Sequence, residues 1–445
     1  MMQRCRLGWM VSMTLACFIG VPGHASPPTD SIEQRIAALE AELARLTDES
    51  RGEDRLDESR ASMVRALVQD IIADADTRAS LLSRQATAGF DNGFFIASAD
   101  NVFRLNVNGQ MQSRYIFNHQ SNSPVDNNRG GFELARMQLV FAGHVIDPGW
   151  TYRVQGNFAR GGGVFFLEDA FIGRDLGAGW SLRAGQFRLP FLRDFLVAEM
   201  QQQIIERSLV HQEMTLGRAQ GAMLQYRDER IGLSAAFSDG LAGTGGFNTP
   251  ALMRTTEYAL TGRFEALLEG TWAQFNDQAS RQGDAFGVLA GAAIHYQRGE
   301  YGTTDDELEV LQWTLDASIA FGGANLFAYF VGRHLDDSSG SLDQYAFVVQ
   351  GGYFLTEDLE LYARYEWGDD DASSDDLHII TVGVNHYFAR HRLKWSADVG
   401  FAIDGVGATW GSGQLGSGGG MAGWRTDAPG EDGQIVLRTQ MQIVF

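Results

Sequence analysis

The chain has 445 residues and a formal charge of −21, with 35 basic against 56 acidic side chains. That balance argues against a nucleic-acid partner, which would demand a basic surface. Both cysteines, Cys5 and Cys17, fall within the first 25 residues, so the rest of the chain holds neither a disulfide nor a thiolate metal site. Fifty-three glycines against eight prolines, with 11% aromatics, suit a chain of many strands.

Residues 1–25 read as an export signal: Arg4 and Arg6 supply the positive region, Leu7 to Val21 the apolar run, and Gly23-His24-Ala25 the small-residue cleavage site. The apolar run is shorter than the roughly 20 residues a spanning helix needs. Residues 26–89 are expected to be helical and periplasmic. Ile32, Ile36, Leu39, Leu43 and Leu46 step alternately by four and three, the a/d seam of a coiled coil, and Met63, Leu67 and Ile71 extend the helical character. Such a stripe needs partner chains or, as the alternative, a surface of its own molecule to lie on.

From residue 90 to residue 445 the period changes to two. Phe103, Leu105, Val107, Met111, Tyr115 and Phe117 share one face of a strand, and Arg104, Asn106, Gln110, Gln112 and Arg114 the other. Alternation alone would also fit a soluble sandwich. Aromatics favour a transmembrane barrel, because Trp150, Trp180, Trp313, Trp367, Trp395 and the final Phe445 lie on apolar faces at or near strand ends, where interfacial girdles form. Sixteen candidate strands begin near Val102, Gly131, Gly149, Val164, Trp180, Ala219, Ile231, Thr255, Leu267, Glu307, Gly323, Leu342, Asp358, Asp376, His391 and Gly433. Short turns such as Asp147-Pro148 and Asp228 to Arg230 alternate with long connections such as Asn118 to Gly130, Asn276 to Asp306 and Asp404 to Asp432. The expectation is an all-β barrel of about sixteen antiparallel strands with short periplasmic turns and long outer loops. The segment Asp284 to Tyr296 is left inside a loop, although it is apolar enough for a strand.

The connection Arg188 to Arg218 follows the fifth strand, and in sixteen-stranded pores that loop folds into the lumen. It carries Arg188, Arg193, Asp194, Glu206, Arg207 and Arg218, whose opposed charges would set a transverse field. The alternative is a solvated outer loop. No cofactor or metal site is expected: Gly411 to Gly416 matches G-x-G-x-x-G without the strand and helix that give the motif meaning, and the nine histidines show no ligand spacing. A barrel lipid hydrolase would need a Ser and His pair near the outer rim, and no convincing pair is present. A structural tether, with the barrel only as anchor, is the other alternative to a pore.

Gly131 to Leu241 resembles the phosphate-selective porin (porin O and P) family. The resemblance is carried by Phe132-Glu133-Leu134-Ala135-Arg136-Met137, Gly149-Trp150-Thr151-Tyr152-Arg153-Val154, Leu167-Glu168-Asp169-Ala170-Phe171, Ala184-Gly185-Gln186-Phe187-Arg188-Leu189-Pro190-Phe191, Glu206-Arg207-Ser208-Leu209-Val210 and Gly217-Arg218-Ala219-Gln220-Gly221. A weaker similarity runs to Leu437, Met441, Ile443 and Phe445, which look like the signal read by the barrel-assembly machinery. The resemblance implies a homotrimeric pore in outer-membrane lipid that passes small anionic solutes. One departure bears on phosphate specificity: Lys394 is the only lysine, so no lysine cluster exists. The expected lumen face carries Arg104, Arg114, Arg136, Arg153, Arg183, Arg364, Lys394 and Arg438 against Asp316, Glu360, Glu366 and Asp398, an excess of basic groups opposite in sign to the whole chain.

Overall fold

The computed structural model describes residues 32–49, 66–70, 87–91, 93–160, 162–241, 248, 256–300, 307–338, 340–371, 376–407, 409–410, 423–428 and 431–445. The export signal, the side chains of Ile32, Ile36 and Leu46, and the Gly411 to Gly416 motif lie outside them. Two compact units divide at residues 82 and 83. In the first, α1 (Ile32–Glu49) is a single helix on which Leu39 and Leu43 are exposed. No described helix is long and apolar enough to cross a membrane.

The second unit contains β1 (Thr87–Phe90), β2 (Phe94–Ala97), β3 (Arg104–His119), β4 (Asn128–Val145), β5 (Asp147–Phe158), β6 (Phe165–Gly177), β7 (Trp180–Arg188), β8 (Arg218–Arg227) and β9 (Ile231–Ser238). It continues through β10 (Thr256–Glu269), β11 (Gly287–Glu300), β12 (Glu307–Ala320), β13 (Ala324–Asp337), β14 (Gly340–Phe354), β15 (Leu359–Asp369), β16 (Leu377–Tyr387), β17 (Leu393–Ala402) and β18 (Gln434–Val444). β3 to β18 pair in sequence, all antiparallel, and β18 closes on β3 from Ile435 opposite His119 to Val444 opposite Gln110. The result is a closed barrel of sixteen strands, which leaves no free edge between them. The β1–β2 hairpin continues the same edge of β3 below the chain end, with Phe94 opposite Val107. At that junction Phe445 and Gly109 exchange two backbone hydrogen bonds, at 2.9 and 3.0 Å.

The period-two pattern sorts as its chemistry demands. Met111, Leu182, Leu233, Ile294, Leu315 and Val382 are exposed on the outside, while Gln110, Gln155, Thr261, Gln312, Glu360 and Asn385 are buried inside. Trp150, Trp180 and Trp395 are exposed near strand ends as expected. Trp313 is a correction: it lies mid-strand over Gly332, whose missing side chain makes room for the indole.

The strand count matches the expectation, but two of its assignments do not. β10 runs unbroken through Leu267, and the strand assigned to begin there is instead β11, in the stretch expected to be a loop. The inward face of β11 is Leu289, Gly291, Ala293, His295 and Gln297, all buried. From Leu289 to Ala293 it faces packed protein rather than water and lacks the polar alternation of a lumen wall, which returns only at His295 and Gln297. The turns at the Phe445 end also break the expected rule. Six of them have one to five residues, whereas the β10–β11 connection, 270–286, has seventeen.

Gly109 abuts the Phe445 ring, and a Cβ added there would meet it at 2.5 Å, whereas nothing lies within 4 Å of one added to Gly131. Gly109→Val is expected to weaken the β18–β3 seam by about 1–3 kcal/mol of overpacking strain. Gly131→Val is expected to leave it intact, and the temperature at which each folded barrel unfolds in dodecyl sulfate gels measures the difference.

Candidate functional site: the charged lumen

The connection 189–217 leaves β7 and turns into the barrel. It contains α2 (Arg193–Leu196), a 3-10 turn at Glu199–Gln201 and α3 (Leu209–Met214). Ser208 caps α3, its hydroxyl accepting from the His211 backbone N–H at 2.8 Å. Leu209, Val210, Met214 and Leu216 pack with Val310, Val331, Val348 and Ile379 on the inward faces of β12, β13, β14 and β16. Full burial of each such side chain is worth roughly 1.5–3 kcal/mol. The segment is therefore held as core and is not a solvated outer loop.

Its carboxylates are fixed by arginines of the wall. Glu206 accepts from Arg114 Nη1 at 3.0 Å, from Arg160 Nη2 at 3.0 Å and from Arg136, and its backbone oxygen accepts from Arg364 Nη1 at 2.8 Å. Burial would push this carboxyl up, but Arg136, Arg114 and Arg160 outweigh it and hold it well below the usual carboxylate range. Glu199 repeats the arrangement with Arg188 at 2.7 Å and Arg207 at 3.3 Å, and burial is again outweighed. A third cluster joins Arg218 to Asp169 at 2.6 Å and Glu168 at 3.4 Å, and Arg153 to Asp169 at 3.2 Å.

All eight expected lumen cations point inward, in two groups. Arg114, Arg364, Lys394 and Arg438 are buried and engaged: Lys394 donates to the Gln202 oxygen at 2.8 Å, Arg364 pairs with Glu366 at 2.7 Å, and Arg438 pairs with Asp398 at 2.7 Å. Arg104, Arg136, Arg153 and Arg183, on β3, β4, β5 and β7, keep access to water. Arg183 stacks on Phe171 at 4.9 Å and lies within electrostatic reach of Asp169, Arg153 and Arg227.

Of the residues expected in the constriction loop, Arg188 ends β7 and Arg218 opens β8, so both belong to the wall. Arg193, Asp194, Glu206 and Arg207 lie inside the barrel. Arg193 donates to the Phe275 oxygen, Asp194 lies 3.2 Å from His211 Nδ1, and Arg207 donates to the Val197 oxygen at 2.8 Å.

The sequence-based lumen list omits Arg160, Glu168, Asp169, Arg227, Arg263, Glu265 and Arg333. A register shift between Gln155 and Gly156 sets the pairing of β5 with β6 where Glu168 and Asp169 stand, and alternation does not register such a bulge. Arg160 sits on a connection, where there is no alternation to read. Arg263 and Asp316 pair at 2.8 Å across Gly291, so the glycine was the available signal. With these groups included, four basic and three acidic, basic residues still outnumber acidic ones in the lumen, but many of them are paired with a buried carboxylate.

Exposure separates the two signs. The Arg153 side chain is 35% exposed against 6% for Asp169, and Arg188 is 15% exposed against 6% for Glu199. Arg160 and Arg136 are 20% and 14% exposed, against 6% for the Glu206 they share. In these pairs the guanidinium is the more exposed partner, whereas Glu133 on β4, 28% exposed beside the sealed Arg114, is an exception.

A closed sixteen-stranded barrel with an inward-folded, charged loop after its fifth strand defines a porin. The chain belongs to the phosphate-selective porin O and P family, whose model matches residues 105–400. No curated protein sequence matches significantly. Among solved structures, an anion-selective porin from Comamonas acidovorans superposes with a TM-score of 0.57 at 13% identity, over 77% of this chain and 99% of that one. The outer-membrane channel DcaP of Acinetobacter baumannii gives 0.54 at 11% identity, over 80% and 100%. The in-vitro folded trimer form of OmpT from Vibrio cholerae gives 0.50 at 11% identity, over 77% and 99%.

Glu206→Gln removes one partner of a buried charge cluster and is expected to cost about 3–5 kcal/mol of loop docking, read as protease cleavage within 189–217. Because the Glu206 carboxyl is depressed in the folded protein, its contribution is fully present above the unfolded value of about 4.3 and is lost only as pH falls through the lower folded value. The wild-type loop is expected to stay protected at pH 5 and to loosen below about pH 4, a step that Glu206→Gln lacks.

Proposed function

We propose that the protein is an outer-membrane porin for passive diffusion of small hydrophilic solutes, with a preference for anions. The observation that carries this is the exposure asymmetry. Along β3 to β7, water meets Arg104, Arg136, Arg153, Arg183 and Arg188, with the paired Glu133 among them, while Glu168, Asp169, Glu199 and Glu206 are buried. In a confined lumen those cations act on a permeating ion at short range. Charges farther off than a screening length contribute little.

With one lysine in the chain, the basic surface consists of guanidiniums, which favour carboxylate and phosphate oxygens generally. The reading is therefore of a general anion pore rather than one strict for phosphate. It assembles as a homotrimer, a state in which OmpT of Vibrio cholerae has been solved. The exposed Leu39 and Leu43 of α1 support a periplasmic coiled coil with partner chains.

In planar bilayers under a potassium chloride gradient, the reversal potential is expected to show chloride preferred over potassium. Arg153→Gln should lower the permeability ratio about twofold, the effect of one unit charge at about 8 Å through water. Potassium preference in the wild type would contradict the reading.

A further inference from the structure

The connection 270–286 stands out among the turns at the Phe445 end, the periplasmic end of a porin, because of its length and because it folds inward. Thr271 and Gln274 form a capping box that starts a 3-10 turn over Trp272–Asn276. Phe275, Gln278, Ala279 and Ser280 then follow into the barrel and are buried.

Inside, Gln278 joins two connections that enter from opposite ends. Its backbone N–H donates to the Gln201 oxygen at 3.3 Å, and its side-chain nitrogen donates to Asp194 Oδ1 at 3.1 Å. Its side-chain oxygen accepts from the Gln203 backbone N–H at 3.1 Å and from Gln350 at 3.2 Å. Asp277 pairs with His391 at 2.8 Å on the β16–β17 turn, which anchors the segment to the far wall.

The near end of the segment faces the arginine-lined side. Trp272 Nε1 donates to the Asp228 oxygen at 2.8 Å, which fixes the indole beneath β8. The Arg227 guanidinium lies over that ring at 4.5 Å and contacts Glu265 at 3.4 Å. Its side chain is 53% exposed against 9% for Glu265, the same inequality as along the upper wall. A ring face adds to the hold on a partly solvated guanidinium without neutralising it.

Resting on the reading of the lumen as an anion pore, we propose that segment 270–286 is a second selectivity element at the periplasmic exit. Gln278 braces it against the constriction loop, and Trp272 presents Arg227 as a cationic station below Arg183. The segment narrows the exit from the β10 to β17 side and leaves solutes the side where Arg227 stands. An anion passing Arg153 and Arg183 is then handed to a third fixed cation before reaching the periplasm. Trp272 is a positioning residue, and Arg227 is the group that meets the solute.

The test uses full-length protein in planar bilayers. Replacing residues 272–284 by Asn-Gly is expected to raise single-channel conductance and to lower the chloride-over-potassium ratio. Arg227→Gln is expected to lower that ratio about twofold at nearly unchanged conductance. Trp272→Ala should do the same in part, with Trp272→Phe restoring the wild-type ratio, a rescue that a merely structural role would not tie to selectivity. Should the shortened chain fail to assemble, Arg227→Gln decides alone, because it leaves the backbone untouched. An anion-preferring wild type with an unchanged ratio in Arg227→Gln would overturn this proposal only, whereas a potassium-preferring wild type would overturn the pore reading beneath it.

Discussion

The lumen is organised around one buried carboxylate. Glu206 stands on a connection that enters from the outer end, and three guanidiniums from separate elements meet it: Arg114 on β3, Arg136 on β4 and Arg160 between β5 and β6. A carboxylate removed from water is costly unless its lone pairs are filled, and here they are filled by charged donors. The arginines in turn need an acid, since so many cations in one lumen would repel each other. Docking of the loop thus satisfies both sides, and the apolar packing of α3 on the opposite wall adds the rest of the hold.

This arrangement accounts for a protein that is acidic overall and yet offers a cationic path. A carboxylate that accepts from two or three guanidiniums has no face left for solvent. A guanidinium carries five N–H donors and can spend two or three on the acid while the remainder point to water. Clusters in which one acid is shared among several guanidiniums therefore leave an unequal surface. Filling is asymmetric as well. Residues of 189–217, 270–286 and the last outer connection, where Trp410 and Trp424 cover Gly368 and Gly400, pack against the β10 to β18 wall. The water-accessible arginines lie on the wall that remains.

Much of the barrel was legible in the sequence because membrane and lumen impose opposite solvents on alternate residues. β3 shows this without interruption from Arg104 to Arg114. Legibility failed where the inner solvent is protein instead of water. β11 faces packed loop with Leu289, Gly291 and Ala293, so its inner face resembles its outer one. Segment 270–286 was invisible for a related reason: Phe275, Ala279 and Gln278 read as an ordinary connection until a second connection is known to bind them. The candidate site was half legible. Strand phase placed Arg114, Arg136, Arg153 and Arg183 inward, but nothing local indicates that Arg114 would be sealed and Arg153 left open, because that depends on where Glu206 and Asp169 arrive from distant parts of the chain.

The most direct test of the account is anomalous diffraction from crystals of the full-length protein soaked in bromide and, separately, in rubidium. Bromide sites beside Arg136, Arg153, Arg183 and Arg188, with none for rubidium against Glu168, Asp169, Glu199 or Glu206, are the predicted result. Rubidium bound at those carboxylates, with the arginines bare of bromide, would contradict it.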